Sequence, residues 1–305
     1  MNLKNIVKPL LLVLSFLVIS ACGSSTSTPL PLLPTYDTVS TATYKVVYIP
    51  VSDSVEGKTT YKLKLTNKTT GLPVAGKVIT LNPMMDMIAS MDHSTPFEAL
   101  IDNGDGSYSG TIYYVMASVA ADGSPMGTWN LAFTVDGETA TFHPAVAMGM
   151  GRVAKLKGIT DKITSMTLNV PQARTYQIFN DGIAGSSAKL YITASDEKMM
   201  MTFPAVYVGA TLHDETSANV FVATMLVEVS ADKTVWTPLT DGGNGHWSGA
   251  LPSAIATGSH LYVRLTVNGE QKTTNSFAVG TSDALGTPMA AGTTNEYGDL
   301  TVSGM

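Results

Sequence analysis

The sequence predicts an all-β protein built as two tandem sandwiches carried on a tether. Three observations predict it. From Tyr44 onward, short alternating runs rich in Val, Thr, Tyr and Ile are separated by Gly, Asn and Asp turns, as in Thr60–Leu65, Gly110–Val115 and Trp129–Val135. The pattern then occurs a second time along the chain. No window shows a long helical period with caps at both ends. Composition agrees: of 305 residues, 44% are hydrophobic and 14% charged, too apolar and too weakly charged for a disordered chain.

The first segment reads as an address. Lys4 and Lys8 precede an apolar run from Leu10 to Ile19, the arrangement of a secretory signal peptide. The run is too short to span a bilayer, which takes about 20 apolar residues. The stretch Ile19-Ser20-Ala21-Cys22 resembles the lipobox of bacterial lipoproteins. The alternative, an ordinary signal peptide, must place the chain's only cysteine at the cleavage point by chance. The resemblance implies a signal peptide over 1–21 and acyl chains on Cys22 that anchor the mature protein to a membrane; two or more chains give stable anchoring. Gly23 follows where an Asp would mark inner-membrane retention, which favours the outer membrane in a Gram-negative cell.

Charge excludes several partners. Eighteen Lys and Arg against 24 Asp and Glu give −6, and loss of Lys4 and Lys8 with the signal peptide would leave −8. Such a chain has no basic footprint for nucleic acid and no electrostatic attraction to anionic lipid. A single cysteine cannot make an internal disulfide or a Cys-rich zinc site.

Residues 22–42 are rich in Ser, Thr and Pro, which favours an extended tether over a packed element. Beyond them the chain resembles itself. Asp102-Asn-Gly-Asp-Gly-Ser-Tyr-Ser-Gly110 matches Asp241-Gly-Gly-Asn-Gly-His-Trp-Ser-Gly249 at an offset of 139, and Thr134-Val-Asp-Gly-Glu138 matches Thr266-Val-Asn-Gly-Glu270 at 132. Tyr61–Thr66 aligns more loosely with Ala188–Thr193. Asp-Gly and Asn-Gly before each Glu are tight-hairpin signals. The expected units are 43–160 and 161–280, followed by a small, polar, loose tail over 281–305.

The first unit carries, in order, Gly71-Leu-Pro-Val-Ala-Gly76, a strand ending Asn82-Pro83, a Met/His-rich loop, Gly106-Ser-Tyr-Ser-Gly110 and Gly127-Thr-Trp129. Over roughly residues 60–145 this resembles the YtkA-like/FixH-like group of small extracytoplasmic immunoglobulin-like domains, and the resemblance implies an immunoglobulin-like sandwich in each unit. The second unit keeps the Gly-x-aromatic-x-Gly strand, with Trp247 for Tyr108, but lacks the Met/His loop.

That loop is the strongest chemical anomaly. The chain has 16 Met, yet residues 84–93 hold four of them, Met84, Met85, Met87 and Met91, and end on His93. Thioethers are soft ligands suited to Cu(I), and imidazole suits copper as well. In extended chain Met85 and Met87 share a face. The candidate ligands are Met85, Met87, Met91 and His93, with Met116 and His143 as completing groups; Met126, Met148 and Met150 could approach the same end, and Trp129 lies nearby in the pattern. The competing reading is an adaptable Met-rich core or contact surface for another envelope protein. Met199-Met200-Met201 offers a second soft patch in the other unit, with a structural role favoured.

Asp102-Asn103-Gly104-Asp105-Gly106 brings oxygens together but misses the EF-hand spacing, and Asp, Asn and Gly are ordinary turn residues. No Gly-x-Ser-x-Gly elbow, His-Glu-x-x-His helix or phosphate-cradling Gly loop is present. The five histidines are scattered. The reading is a non-enzymatic, lipid-anchored envelope protein that binds Cu(I) or another soft metal, the alternative being a structural or protein-interaction lipoprotein with no metal site.

Overall fold

The computed structural model describes residues 37–88, 92–164, 170–196, 203–274 and 296–302. Every regular element among them is a strand, every ladder is antiparallel, and the strands form two tandem β-sandwiches. In the first, one sheet orders Asp37–Ser40, Tyr44–Pro50, Gly57–Asn67, Ser107–Tyr114 and Ile101–Asp102; the facing sheet orders His93–Ser94, Ile79–Met87, Gly127–Val135 and Glu138–Phe142. Alternation explains the layering. In Gly57–Asn67 the buried Thr59, Tyr61, Leu63 and Leu65 face inward between lysines and threonines that face out. Tyr48 and Tyr61 from one sheet meet Phe133 from the other, closing the core between the sheets.

The second sandwich pairs a sheet of Val153–Thr164, Pro171–Asn180, Gly185–Ala194, His246–Ile255 and Thr240–Asp241 with one of Thr237–Pro238, Met225–Ser230, His260–Val267 and Glu270–Gln271. Its core gathers Leu156, Ile178, Leu190 and Trp247 from one sheet with Val227, Val263 and Leu265 from the other.

Both Asx-Gly hairpins form as two-residue turns with positive φ at each central residue: 49° and 81° at Asp136-Gly137, 50° and 79° at Asn268-Gly269. Positive φ at both positions is what a type I′ turn requires. The repeated aromatics are equivalent too. Tyr108 and Trp247 are both buried, and each donates a hydrogen bond to the carbonyl of a valine, Val74 or Val206, in the crossing segment.

Three boundaries differ from the sequence reading. Asp37–Ser40, expected as tether, pairs with Lys45–Tyr48 as an edge strand, its Val39 packed on the first core. The strand Val153–Thr164 crosses the boundary expected at 160/161 and pairs within the second sandwich, although Val153 packs on the first core. Within the tail expected to be loose, Gly298–Thr301 pairs with His260–Val263, and Leu300 and Val302 are buried in the second core. A small, polar composition masked two core side chains there. The signal peptide 1–21, Cys22 and the tether up to residue 36 lie outside the described residues, as do Met91, Met199-Met200-Met201 and tail positions 281–295 and 303–305.

The two sandwiches share a junction. Phe179 and Tyr191 sit on strands of the second sandwich yet are buried within the core cluster of the first. Tyr113 stacks on Tyr191 at 4.1 Å between ring centroids, and its single hydroxyl proton is shared between Glu98 at 2.8 Å and Asp181 at 2.9 Å. Lys58 bridges to Asp181 at 2.7 Å, and His246 reaches Glu98 at 3.3 Å and Asp181 at 3.2 Å.

Candidate functional site

The site grows from the strand Ile79–Met87. Its inner face carries the buried Ile79, Leu81, Pro83 and Met85, and its outer face the exposed Thr80, Asn82 and Asp86. Pro83 has no N–H to donate and is accommodated because the short strand His93–Ser94 pairs only with Met84 and Met85, leaving an edge at Pro83. Met85 is therefore flanked in register by His93 on one side and Trp129 on the other. Gly127 belongs to the same arrangement, since a Cβ there would come within 2.9 Å of the Met85 methyl group and 2.4 Å of the Asp86 carbonyl oxygen.

Met85 and Trp129 are fully buried, and His93 is 9% exposed. The imidazole meets the Trp129 ring edge-on at 5.5 Å, and Trp129 in turn meets Tyr114 at 5.1 Å. His93 Nδ1 lies 2.8 Å from the carbonyl oxygen of Ser94. A carbonyl only accepts, so Nδ1 carries the proton and Nε2 presents a lone pair. That Nε2 is buried and has no hydrogen-bond partner among the described residues. Burial also pushes the imidazole below its ordinary pKa, only partly offset by the Ser94 hydrogen bond and the Asp92 charge.

Around this centre, Met87 continues the Met85 face, and Met87, Met116 and Met126 are half-buried against the same core. Met116 is tied to the site through its carbonyl, which accepts the Trp129 indole N–H at 3.1 Å. The structure thus brings together Met85, Met87, His93 and Trp129, with Met116 beside them. It does not bring in His143. That residue follows buried Phe142 on an alternating strand, so it faces outward and is exposed. Met148 and Met150 are exposed as well.

The Asp102–Gly106 stretch is a turn. Asp102 accepts the Gly104 N–H at 2.9 Å and also the Gly76 N–H, while Asp105 accepts the N–H and hydroxyl of Ser107 at 2.9 and 2.6 Å. Gly104 and Gly106 both have φ of 82°. The carboxylates serve the backbone of their own loop. Among the described residues, no three His, Cys, Asp or Glu side chains gather as a metal-holding group.

Two features escaped the sequence reading. One is Phe203, which comes from the second sandwich and meets His93 edge-on at 6.3 Å. The other is a buried charge cluster in the second sandwich. Arg174, fully buried, donates to Asp161 at 2.8 Å and to the carbonyls of Ser195 and His213; Lys272, 1% exposed, reaches Asp161 at 3.3 Å and Glu270 at 3.0 Å. Phe203 lies 110 residues from His93, and the charge cluster is closed only where Lys272 meets Asp161, 111 residues away.

No family model and no curated protein matches the chain. Among solved structures it is similar to the adhesin InvE of Yersinia pseudotuberculosis, with 11% identity over 84% of this chain and 58% of that one and a TM-score of 0.25. It is also similar to FdeC, an Escherichia coli adhesin, with 13% identity over 87% of this chain and 66% of that one and a TM-score of 0.24. The chain therefore spans about three fifths to two thirds of the length of those adhesins.

Proposed function

We propose that this is a non-enzymatic, lipid-anchored protein of the bacterial cell envelope whose first sandwich binds Cu(I) between the thioether of Met85 and Nε2 of His93. Met87 and Met116 stand at the rim as further sulfur ligands. Met91 belongs to the same loop by sequence. The observation that carries the reading is the buried Nε2 of His93, without a hydrogen-bond partner among the described residues, on the residue paired in register with the fully buried Met85. A buried polar atom without a partner is costly, and a ring oriented through Nδ1–H to a carbonyl is how proteins aim a ligating histidine. Neutral imidazole plus thioethers is a soft donor set that suits Cu(I) and binds it without releasing a proton from sulfur. The order of motifs shared with YtkA-like/FixH-like domains fits this reading, as does the lipobox-like Cys22 for the envelope address.

An anaerobic Cu(I) competition titration tests it. Wild type should bind one equivalent tightly, while Met85→Leu and His93→Asn each lose at least roughly tenfold in affinity, the scale of a lost metal ligand or its support. Equal weak binding by all three defeats the proposal.

A second reading, a structural or protein-interaction lipoprotein, is favoured by the shared junction. A core that runs from Tyr113 into Phe179 and Tyr191 suits a stiff spacer that holds a contact surface away from a membrane.

A further inference from the structure

We infer that the second sandwich controls metal exchange at His93 through Phe203. The inference rests on the Cu(I) reading above and assigns the regulation of that site.

The imidazole of His93 lies between two aromatic rings, Trp129 of its own sandwich at 5.5 Å and Phe203 of the other at 6.3 Å, both edge-on. Such separations are within the range of favourable ring pairing. Phe203 is half-buried and packs on the first core. Its position is set by the second sandwich, because the next residues are bonded into that sheet: the Pro204 carbonyl accepts the Ala194 N–H at 3.1 Å, and the Val206 N–H donates to the Ile192 carbonyl at 2.9 Å. Phe203 therefore travels with the second sandwich, whereas Met85, His93 and Trp129 travel with the first.

What fixes one sandwich against the other is the junction: Phe179 and Tyr191 buried in the first core, the Tyr113–Tyr191 stack, the Lys58–Asp181 ion pair and the contacts of His246 with Glu98 and Asp181. When the junction is closed, Phe203 covers His93 and slows entry and exit of the ion. When it loosens, the ring withdraws and the same ligands become accessible. This gives the second sandwich, which lacks a Met/His loop, a role in metal handling without a ligand of its own. Phe203 is on this account a positioning residue: it covers the ligand and does not bind the ion.

The test uses the full lipid-anchored chain in detergent micelles and follows Cu(I) transfer to a chromophoric chelator by stopped flow alongside equilibrium affinity. Phe203→Ala should release Cu(I) roughly tenfold faster than the parent, with a smaller change in affinity, and Phe203→Leu should restore slow release, given the modest worth of one ring pair. Lys58→Ala, on the sheet facing that of His93, should also speed release severalfold by loosening the junction. Phe203→Ala with parental release overturns the inference and leaves the Cu(I) reading standing. Should Phe203→Ala fail to fold, Lys58→Ala decides, and parental release there overturns it. Absence of Cu(I) binding by the parent overturns both.

Discussion

The carboxylate of Glu138 grips Thr43, accepting its backbone N–H at 2.9 Å and its hydroxyl at 2.6 Å. The second copy repeats the device. Glu270, at the matching hairpin position, accepts the N–H of Thr160 at 3.0 Å and its hydroxyl at 2.9 Å, and adds the Ile159 N–H and the Lys272 ammonium at 3.0 Å. The Asx-Gly-Glu motif is thus a clasp between a hairpin and the other sheet, gripping the turn before Tyr44–Pro50 in the first copy and the strand Val153–Thr164 in the second.

The two clasps should differ in weight. Partial burial pushes the Glu270 carboxyl up, but two backbone N–H groups and Lys272 outweigh it and hold it at about 2. Removing Glu270 also strips a partner from the almost fully buried Lys272. Glu270→Ala should cost about 2–4 kcal/mol, measured by urea unfolding, and Glu138→Ala clearly less. Because the folded value is depressed, the Glu270 contribution is complete above the ordinary Glu value of about 4.3 and is lost as pH falls towards 2. Equal costs for the two variants would refute the difference.

Much of this was legible in the sequence because it is local. The clasp hairpins, the Gly106 and Gly245 turns and the buried Tyr108/Trp247 pair each follow from a few adjacent residues whose backbone or burial demands are specific. Even the loose match of Tyr61–Thr66 to Ala188–Thr193 is structural, since Leu65 and Ile192 both donate their N–H to the glycine carbonyl of the repeated turn at 2.8 Å. The shared face of Met85 and Met87 follows from period two. What stayed hidden is what depends on packing at a distance. Phe203 over His93 and the Tyr113–Tyr191 stack join residues 110 and 78 positions apart. His143 is exposed one residue past the buried Phe142, and the sequence alone does not say which residue of that pair faces in.

The junction should make the two sandwiches unfold together. Phe179 is fully buried where second-sandwich strands enter the first core. Phe179→Ala should cost about 3–5 kcal/mol, as large buried aromatics do, and should split a single calorimetric transition into two. If wild type already unfolds in two transitions, the shared core does not couple the sandwiches.

His93 should give the metal-free protein an acid-side slope. Burial holds its folded pKa below the ordinary value, so the neutral form is favoured in the native state. Stability from this group is therefore full above about 6.5, the unfolded value, and falls as pH drops below it, because the unfolded chain takes up the proton first. Urea midpoints recorded from pH 7.5 to 5 should decline more steeply for wild type than for His93→Leu. Superimposable curves would mean that His93 titrates in the folded protein as it does in the unfolded one.

The alkaline side should be governed by the first core. The hydroxyls of Tyr48, Tyr61 and Tyr114 are all buried; that of Tyr61 has no hydrogen-bond partner among the described residues, while that of Tyr48 lies against Ser54 and Tyr114. Burial pushes Tyr48 up to about 12, raises Tyr61, and raises Tyr114 well above its ordinary value. A raised folded value stabilises the protein below the unfolded tyrosine pKa of about 10 and is lost as pH climbs through it, since the unfolded chain releases the protons first. The first sandwich should therefore weaken between pH 10 and 12, and Tyr61→Phe should lessen that weakening. At pH 7 the same variant should lie within about 1 kcal/mol of wild type, because it removes a hydroxyl that makes no bond. Phenolate absorbance and urea midpoints recorded together check both statements. A large loss at pH 7 would show that the Tyr61 hydroxyl is bonded after all.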